Sequence, residues 1–227
     1  RVSSNAAGVQ GNADSSRAQF SADGRTVVFE SSASNLVAGD INGAWDLFIK
    51  DLQSGAIQRV STDAAGAQGN GNSYKARFSA DGRSVVFESV ASNLVAGDSN
   101  GTGDIFVKDL QSGAIQRVST DAAGVQANSS SFNAQFSADG RTVVFESYAS
   151  NLVAGDSNGT YDVFVKDLQS GAIQRVSTDA AGAQGNSSSF NAQFSADGRT
   201  VAFASHASNL VAGDSNGALD IFVKDLQ

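Results

Sequence analysis

The sequence predicts an all-β fold made of four repeated antiparallel sheets, and three observations carry that prediction. First, Asp40, Asp98, Asp156 and Asp214 stand in the same local sequence, Gly-Asp-[Ile/Ser]-Asn-Gly, at a constant spacing of 58 residues. A period of that size belongs to solenoids, propellers and arrays. Second, each repeat holds four short runs rich in β-branched and aromatic residues, with no apolar stripe of helical period. Third, the chain starts and stops at different points of its repeat, which suits a ring sealed by strand exchange better than a solenoid, whose ends need caps.

The third repeat shows the elements in order. Residues 134–139 form a first strand signal and residues 142–147 (Thr-Val-Val-Phe-Glu-Ser) a second. Residues 162–168 form a third, in which Val163 and Val165 alternate with Phe164 and Lys166, and residues 173–178 a fourth. Residues 138–141 and 169–172 are tight turns built on Asp-Gly and Ser-Gly. The other connections, 149–161 and 179–189, are long. Four antiparallel strands in chain order make one propeller blade, so the chain reads as a four-bladed β-propeller. Twelve of the fourteen phenylalanines fall at three repeated places, Phe20/78/136/194, Phe29/87/145/203 and Phe48/106/164/222, and are expected to pack between blade sheets.

The chain begins at Arg1, equivalent to Arg59 inside a fourth strand, and ends at Gln227, equivalent to Gln53 just after a third. Residues 1–3 are therefore expected to add the outer strand to the last blade, along residues 220–226, hiding a bare edge. This gives a single domain, 1–227, of four 58-residue repeats with the last completed by residues 1–3. Closure within one chain makes a monomer; an eight-bladed homodimer, each chain lending its first strand to the other, satisfies the same arithmetic.

Net charge is −8, which argues against a nucleic-acid partner. No apolar run approaches the roughly 18 residues of a membrane span, and no signal-like stretch opens the chain. Cys, Met and Pro are absent. The first absence excludes disulfide and thiolate chemistry. The second implies that residues were removed ahead of Arg1. Near-identical repeats with so clean a composition point equally to recent amplification and to deliberate design of a symmetric protein.

The repeated Phe-Ser-Ala-Asp-Gly-Arg-[Ser/Thr]-Val-[Val/Ala]-Phe, followed by Asp-[Ile/Val/Leu]-Phe-[Ile/Val]-Lys-Asp-Leu, resembles the TolB-type propeller repeat over all four units. Ala22, Ala80, Ala138 and Ala196 depart from it, standing where that family usually has Pro. The resemblance implies periplasmic, secreted or surface propellers that mostly bind other proteins or small ligands. A periplasmic or secreted location would follow for a natural chain, and none for a designed one.

Both long loops of a blade fall on one face, which becomes the candidate surface for a protein or small-molecule ligand. The repeats differ most beside those loops, at Ser16/Tyr74/Phe132/Phe190, Ser32/Val90/Tyr148/His206 and Trp45/Gly103/Tyr161/Leu219. Aromatic residues there suit a binding surface; tolerated drift at loop ends is the alternative. Each repeat also carries Asp-x-Asn-Gly-x-x-Asp: Asp40, Asn42 and Asp46; Asp98, Asn100 and Asp104; Asp156, Asn158 and Asp162; Asp214, Asn216 and Asp220. Oxygen ligands at alternate positions and a glycine in a tight loop suit calcium, with Asn35, Asn93, Asn151 and Asn209 as helpers. The same residues also make plain Asx-turns.

Enzyme signals are poor. One histidine, His206, cannot build a catalytic triad or a histidine metal cluster. Glu30, Glu88 and Glu146 recur, but Ala204 breaks the set, which leaves a glycan-processing carboxylate pair as a remote alternative. Arg17, Lys75 and Arg77, on first strands, could hold a small anion or simply face solvent. The function read from the sequence is a non-enzymatic repeat scaffold or binding module; a natural ligand- or protein-binding propeller of the cell envelope is the alternative.

Overall fold

The computed structural model describes residues 1–226, which hold fifteen strands and no helix. The first sheet contains β1 (Ser15–Phe20), β2 (Thr26–Ser31), β3 (Asp46–Asp51) and β4 (Ile57–Arg59). The second contains β5 (Ser73–Phe78), β6 (Ser84–Ser89), β7 (Asp104–Asp109) and β8 (Ile115–Arg117). The third contains β9 (Ser131–Phe136), β10 (Thr142–Ser147), β11 (Asp162–Asp167) and β12 (Ile173–Arg175). The fourth contains β13 (Ser189–Phe194), β14 (Thr200–Ser205) and β15 (Asp220–Asp225). Strands pair in chain order and every pairing is antiparallel, so each sheet is a propeller blade. The fourth blade stops at three strands, and residues 1–3, the expected fourth, are not among them.

The chain divides into two compact units of two blades each, Arg1–Arg117 and Val118–Gln227. In the first unit, Val28, Leu47 and Ile49 of one blade pack against Val85, Phe87, Leu94 and Phe106 of the next. In the second, Val144, Val163 and Val165 pack against Val201, Phe203 and Leu210. Two of the three phenylalanine sets meet as cross-strand pairs within a blade, with centroids 5.8 Å apart for Phe87–Phe106 and for Phe145–Phe164.

The first strands begin three residues earlier than the sequence suggested, at Ser131 rather than 134 in the third blade. The reason is a bulge. Pairing slips between Ser16 and Gln19, Tyr74 and Arg77, Phe132 and Gln135, and Phe190 and Gln193. Arg17, Lys75, Asn133 and Asn191 sit in the bulges with φ between 49° and 56°. A bulge interrupts the period of two, so polar residues ahead of it do not read as strand. The fourth strands end earlier than expected, at Arg59 and Arg175, although the amides of Val60 and Val176 still donate to the Leu47 and Val163 carbonyls of the third strand.

The tight turns are pinned by their aspartates. Asp139 accepts hydrogen bonds from the Ser137 hydroxyl at 2.6 Å and the Arg141 amide at 3.0 Å. Asp167 accepts from the amides of Ser170 and Gln169 at 2.7 and 2.9 Å. The serine hydroxyl in the first case, and the Ser170 amide in the second, hold these carboxyls below the usual carboxylate range, and Asp51 and Asp109 behave likewise. A depressed folded-state value means stability that is present above the unfolded value near 3.9 and lost as pH falls through the folded one. The melting temperature is therefore expected to hold down to about pH 4 and to fall progressively below it. A flat profile down to pH 2 would contradict this.

Candidate functional site

The Asp-x-Asn-Gly-x-x-Asp loops end at the first residue of the third strand, whose ladder fixes the closing carboxylate. Asp46, Asp104 and Asp162 are fully buried. Each faces an arginine from the end of its blade's fourth strand. Arg59 Nη2 lies 3.6 Å from Asp40 Oδ2, and its Nε lies 3.7 Å from Asp46 Oδ2. Arg117 spans Asp98 and Asp104 at 3.7 Å each, and Arg175 spans Asp156 and Asp162 at 3.7 Å each. Neutral donors also reach these carboxylates. In the third blade the Ser177 hydroxyl donates to Asp162 Oδ1 at 2.6 Å, and Gln184 Nε2 donates to both Asp156 and Asp162 at 2.8 Å. Gln68 bridges Asp40 and Asp46 in the same way in the first blade. Burial pushes the Asp40 and Asp162 carboxyls up, against the downward pull of Arg59 and Arg175.

The asparagines of these loops are committed as well. Asn42 Oδ1 accepts from the Ala44 amide at 2.9 Å, and its amide group donates to the Gly69 carbonyl at 2.8 Å. Asn158 repeats this with Thr160 and Gly185. The four asparagines named as helpers, Asn35, Asn93, Asn151 and Asn209, donate instead to the carbonyls of Gln10, Gln68, Gln126 and Gln184. They lace the two long loops of each blade together. Among the described residues, no three acidic, His or Cys side chains gather closely enough to share a metal ion. In the first three blades an arginine places positive charge beside the aspartate pair. In the fourth, the amide of Asn216 donates to Asp220 at 2.9 Å.

Sequence reasoning missed Arg59, Arg117 and Arg175, together with Gln68 and Gln184. Their signal was present, since Arg and Gln recur at the same period as the aspartates. It also missed Lys50, Lys108 and Lys166, which are buried and donate to main-chain carbonyls: Lys108 to Thr62 and Asp63 at 2.8 Å each, Lys166 to Thr120 and Asp121 at 3.0 and 2.7 Å. Burial pushes all three ammonium groups down from their usual value.

The glutamates and cations of the first strands also serve the blades. Glu30 accepts from the Lys75 amide at 2.7 Å, at the bulge of the next blade, and Glu146 accepts from the Asn191 amide at 2.7 Å. Arg17 Nε lies 3.6 Å from Glu30, and Lys75 Nζ lies 3.1 Å from Glu88.

The three variable positions beside the long loops converge. In the third blade Phe132 stands edge-on to Tyr161 with centroids 4.8 Å apart, and Tyr148 lies 3.5 Å from Tyr161. The hydrogen bond that the protonated Tyr161 hydroxyl makes to Tyr148, together with burial, pushes Tyr161 up to about 12. Tyr148 remains 41% exposed, so the cluster presents an aromatic surface to solvent. In the fourth blade the same positions pair Phe190 with the exposed His206, rings 6.0 Å apart.

No protein-family model and no curated protein matches this chain. Solved structures do. A protein assigned as TolB in Agrobacterium tumefaciens is similar over 91% of this chain and 60% of its own, with a TM-score of 0.54 and 16% identity. The propeller domain of the Trilobed protease of Pyrococcus furiosus is similar over 94% of this chain and 55% of its own, with a TM-score of 0.53 and 12% identity. A chain from a study of two prolyl endopeptidases is similar over 94% of this chain and 28% of its own, with a TM-score of 0.57 and 13% identity. The present chain thus spans between about a quarter and three-fifths of the length of each. At these identities the likeness speaks for the fold alone, and the fold it shows is the β-propeller, as in the propeller domain of the Trilobed protease.

Proposed function

We propose that this chain is a non-enzymatic binding module that recognises its ligand with the long-loop ends of its blades. The observation that carries this reading is the cluster of Phe132, Tyr148 and Tyr161. These positions vary between otherwise near-identical repeats, yet the blade brings them to one spot and leaves Tyr148 exposed. Flat rings on a laced, pre-ordered loop surface suit a ligand with an apolar face, either a sugar ring or a side chain of a partner protein. The buried aspartates, arginines and lysines described above are engaged with neighbouring strands and loops, which favours binding over turnover. A periplasmic or secreted setting accords with the TolB likeness and belongs to this proposal.

The test is a glycan and protein array probed with the wild-type chain and with Tyr148→Ala. Binding to a defined ligand, weakened at least about tenfold in the variant while its melting temperature is kept, is the expected result; such a loss corresponds to about 1.4 kcal/mol. Binding that survives the substitution, or turnover on a glycoside panel, would contradict the reading.

A further inference from the structure

The aromatic cluster of the third blade stands beside a carboxylate, and the strand register shows why. Ser147 pairs with Asp162, so Tyr148 and Tyr161 follow as the next pair at the end of the same two strands. Glu146 pairs with Phe132 on the other side. Directly paired residues point to one face of a sheet, as do residues two apart along a strand. The three rings and the Glu146 carboxylate therefore share a face.

The rings form a platform with one open side. Tyr148 and Tyr161 lie 3.5 Å apart, centroid to centroid, which covers one face of the Tyr148 ring. Tyr148 is nevertheless exposed, and that exposure falls on its other face. Val90, at the same place in the second blade, is exposed as well, so the openness belongs to the blade position. Amide groups hold the carboxylate in place: the Asn191 amide donates to Glu146 Oε1 at 2.7 Å, and the Asn133 side chain donates to Oε2 at 3.0 Å. Its negative charge reaches the rings, for after the hydrogen bond to Tyr148 and burial it is one of the influences that raise the Tyr161 hydroxyl. The cations of this blade are committed elsewhere: Arg141 to Asp167 at 2.8 Å, Lys166 to the Thr120 and Asp121 carbonyls, and Arg175 to Asp156 and Asp162. Ring faces and a nearby carboxylate both attract positive charge. A neutral ligand would gain nothing from the second.

We propose that this platform takes a quaternary ammonium group, with its methyl surface on the open face of Tyr148 and its charge in the field of Glu146. The proposal rests on the binding reading above and names the chemistry of the ligand. Methyl groups suit the site because they spread the charge over an apolar surface that a ring face can cover, whereas a bare ammonium holds its water strongly.

Calorimetric titration tests this with choline and with its uncharged carbon analogue, in which a tert-butyl group replaces the trimethylammonium. Choline is expected to bind at least about tenfold more tightly than the analogue. In Tyr148→Leu, which keeps an apolar side chain at an exposed position, that preference should fall to near parity. Glu146→Gln should reduce it part of the way, and Tyr148→Leu decides alone if Glu146→Gln lowers the melting temperature. A peptide bearing trimethyllysine, titrated beside its unmethylated form, separates a modified protein from a free ligand as the source; methyl-dependent binding of the peptide alone also supports the proposal. Equal binding of choline and its analogue would overturn the cation and leave the aromatic surface as a binding site. A preference unchanged in Tyr148→Leu would overturn the proposal by placing the cation elsewhere. If neither choline nor the methylated peptide binds while an array ligand depends on Tyr148, only the ammonium assignment falls; if no ligand depends on Tyr148, the binding reading falls with it.

Discussion

Replacing Asp162 with Ala is expected to cost about 3–5 kcal/mol, because it takes away one of the two carboxylates that face a buried cation. Asp162 and its neighbour Asp156 are the carboxylates facing Arg175, whose side chain is only 7% exposed. Removing Asp162 also leaves the hydroxyl of Ser177 and one bond of the Gln184 amide without an acceptor. Such losses are larger than those of an exposed Asx-turn, which stay near 1 kcal/mol or below. The raised Asp162 carboxyl does not conflict with this, since an ion pair can be a poor net contributor and still be costly to break. Asp162→Asn should cost less, because it keeps a hydrogen-bond acceptor. Denaturant unfolding measures the difference. In parallel, millimolar calcium is expected to leave the melting temperature unmoved, since in the first three blades an arginine already sits beside the two carboxylates and offsets part of their charge. A calcium-dependent rise that disappears in Asp162→Ala would support the metal reading.

Replacing Phe106 with Ala is expected to cost a further about 3–5 kcal/mol, through lost burial and the cavity left behind. Phe106 is fully buried, faces Phe87, and belongs to the cluster that joins the first two blades through Leu47 and Ile49. The surrounding side chains are held by strands on both sides, so little collapse can fill the space. Because the cluster spans two blades, the loss should appear in one unfolding transition of both rather than in a separate melting of the second. A cost under about 1.5 kcal/mol, the range of tolerated swaps, would show that the cluster repacks freely.

The blades were legible in the sequence because a strand buried on one or both faces must repeat its apolar residues, and the period of 58 displayed each strand four times. Thr142–Ser147 and the start of the third strand at Asp162 agree with the structure to the residue. The first strands were misjudged by three residues, because the bulges at Arg17, Lys75, Asn133 and Asn191 break the alternation that marks a strand. The aspartate loops were located correctly but read without their partners. Arg59 lies 13 residues beyond Asp46 in the chain, and only the antiparallel return of the fourth strand beside the third brings them together. The aromatic cluster was foreseen as three separate variable positions; that they touch follows from Phe132, Tyr148 and Tyr161 lying at one end of three adjacent strands.

The left-handed residues of the bulges make the four repeats unequal. Asparagine tolerates that backbone region, whereas other non-glycine side chains strain it by about 1–2 kcal/mol. The third and fourth repeats place Asn133 and Asn191 there, and the first and second place Arg17 and Lys75. Lys75 gains an ion pair with Glu88 at 3.1 Å, while the largely exposed Arg17 has only a looser contact with Glu30. The chain therefore holds, in its later copies, the residue that would relax its earlier ones. A repeat protein of this kind is its own sequence alignment, and the record of which substitutions a blade accepts can be read along a single polypeptide.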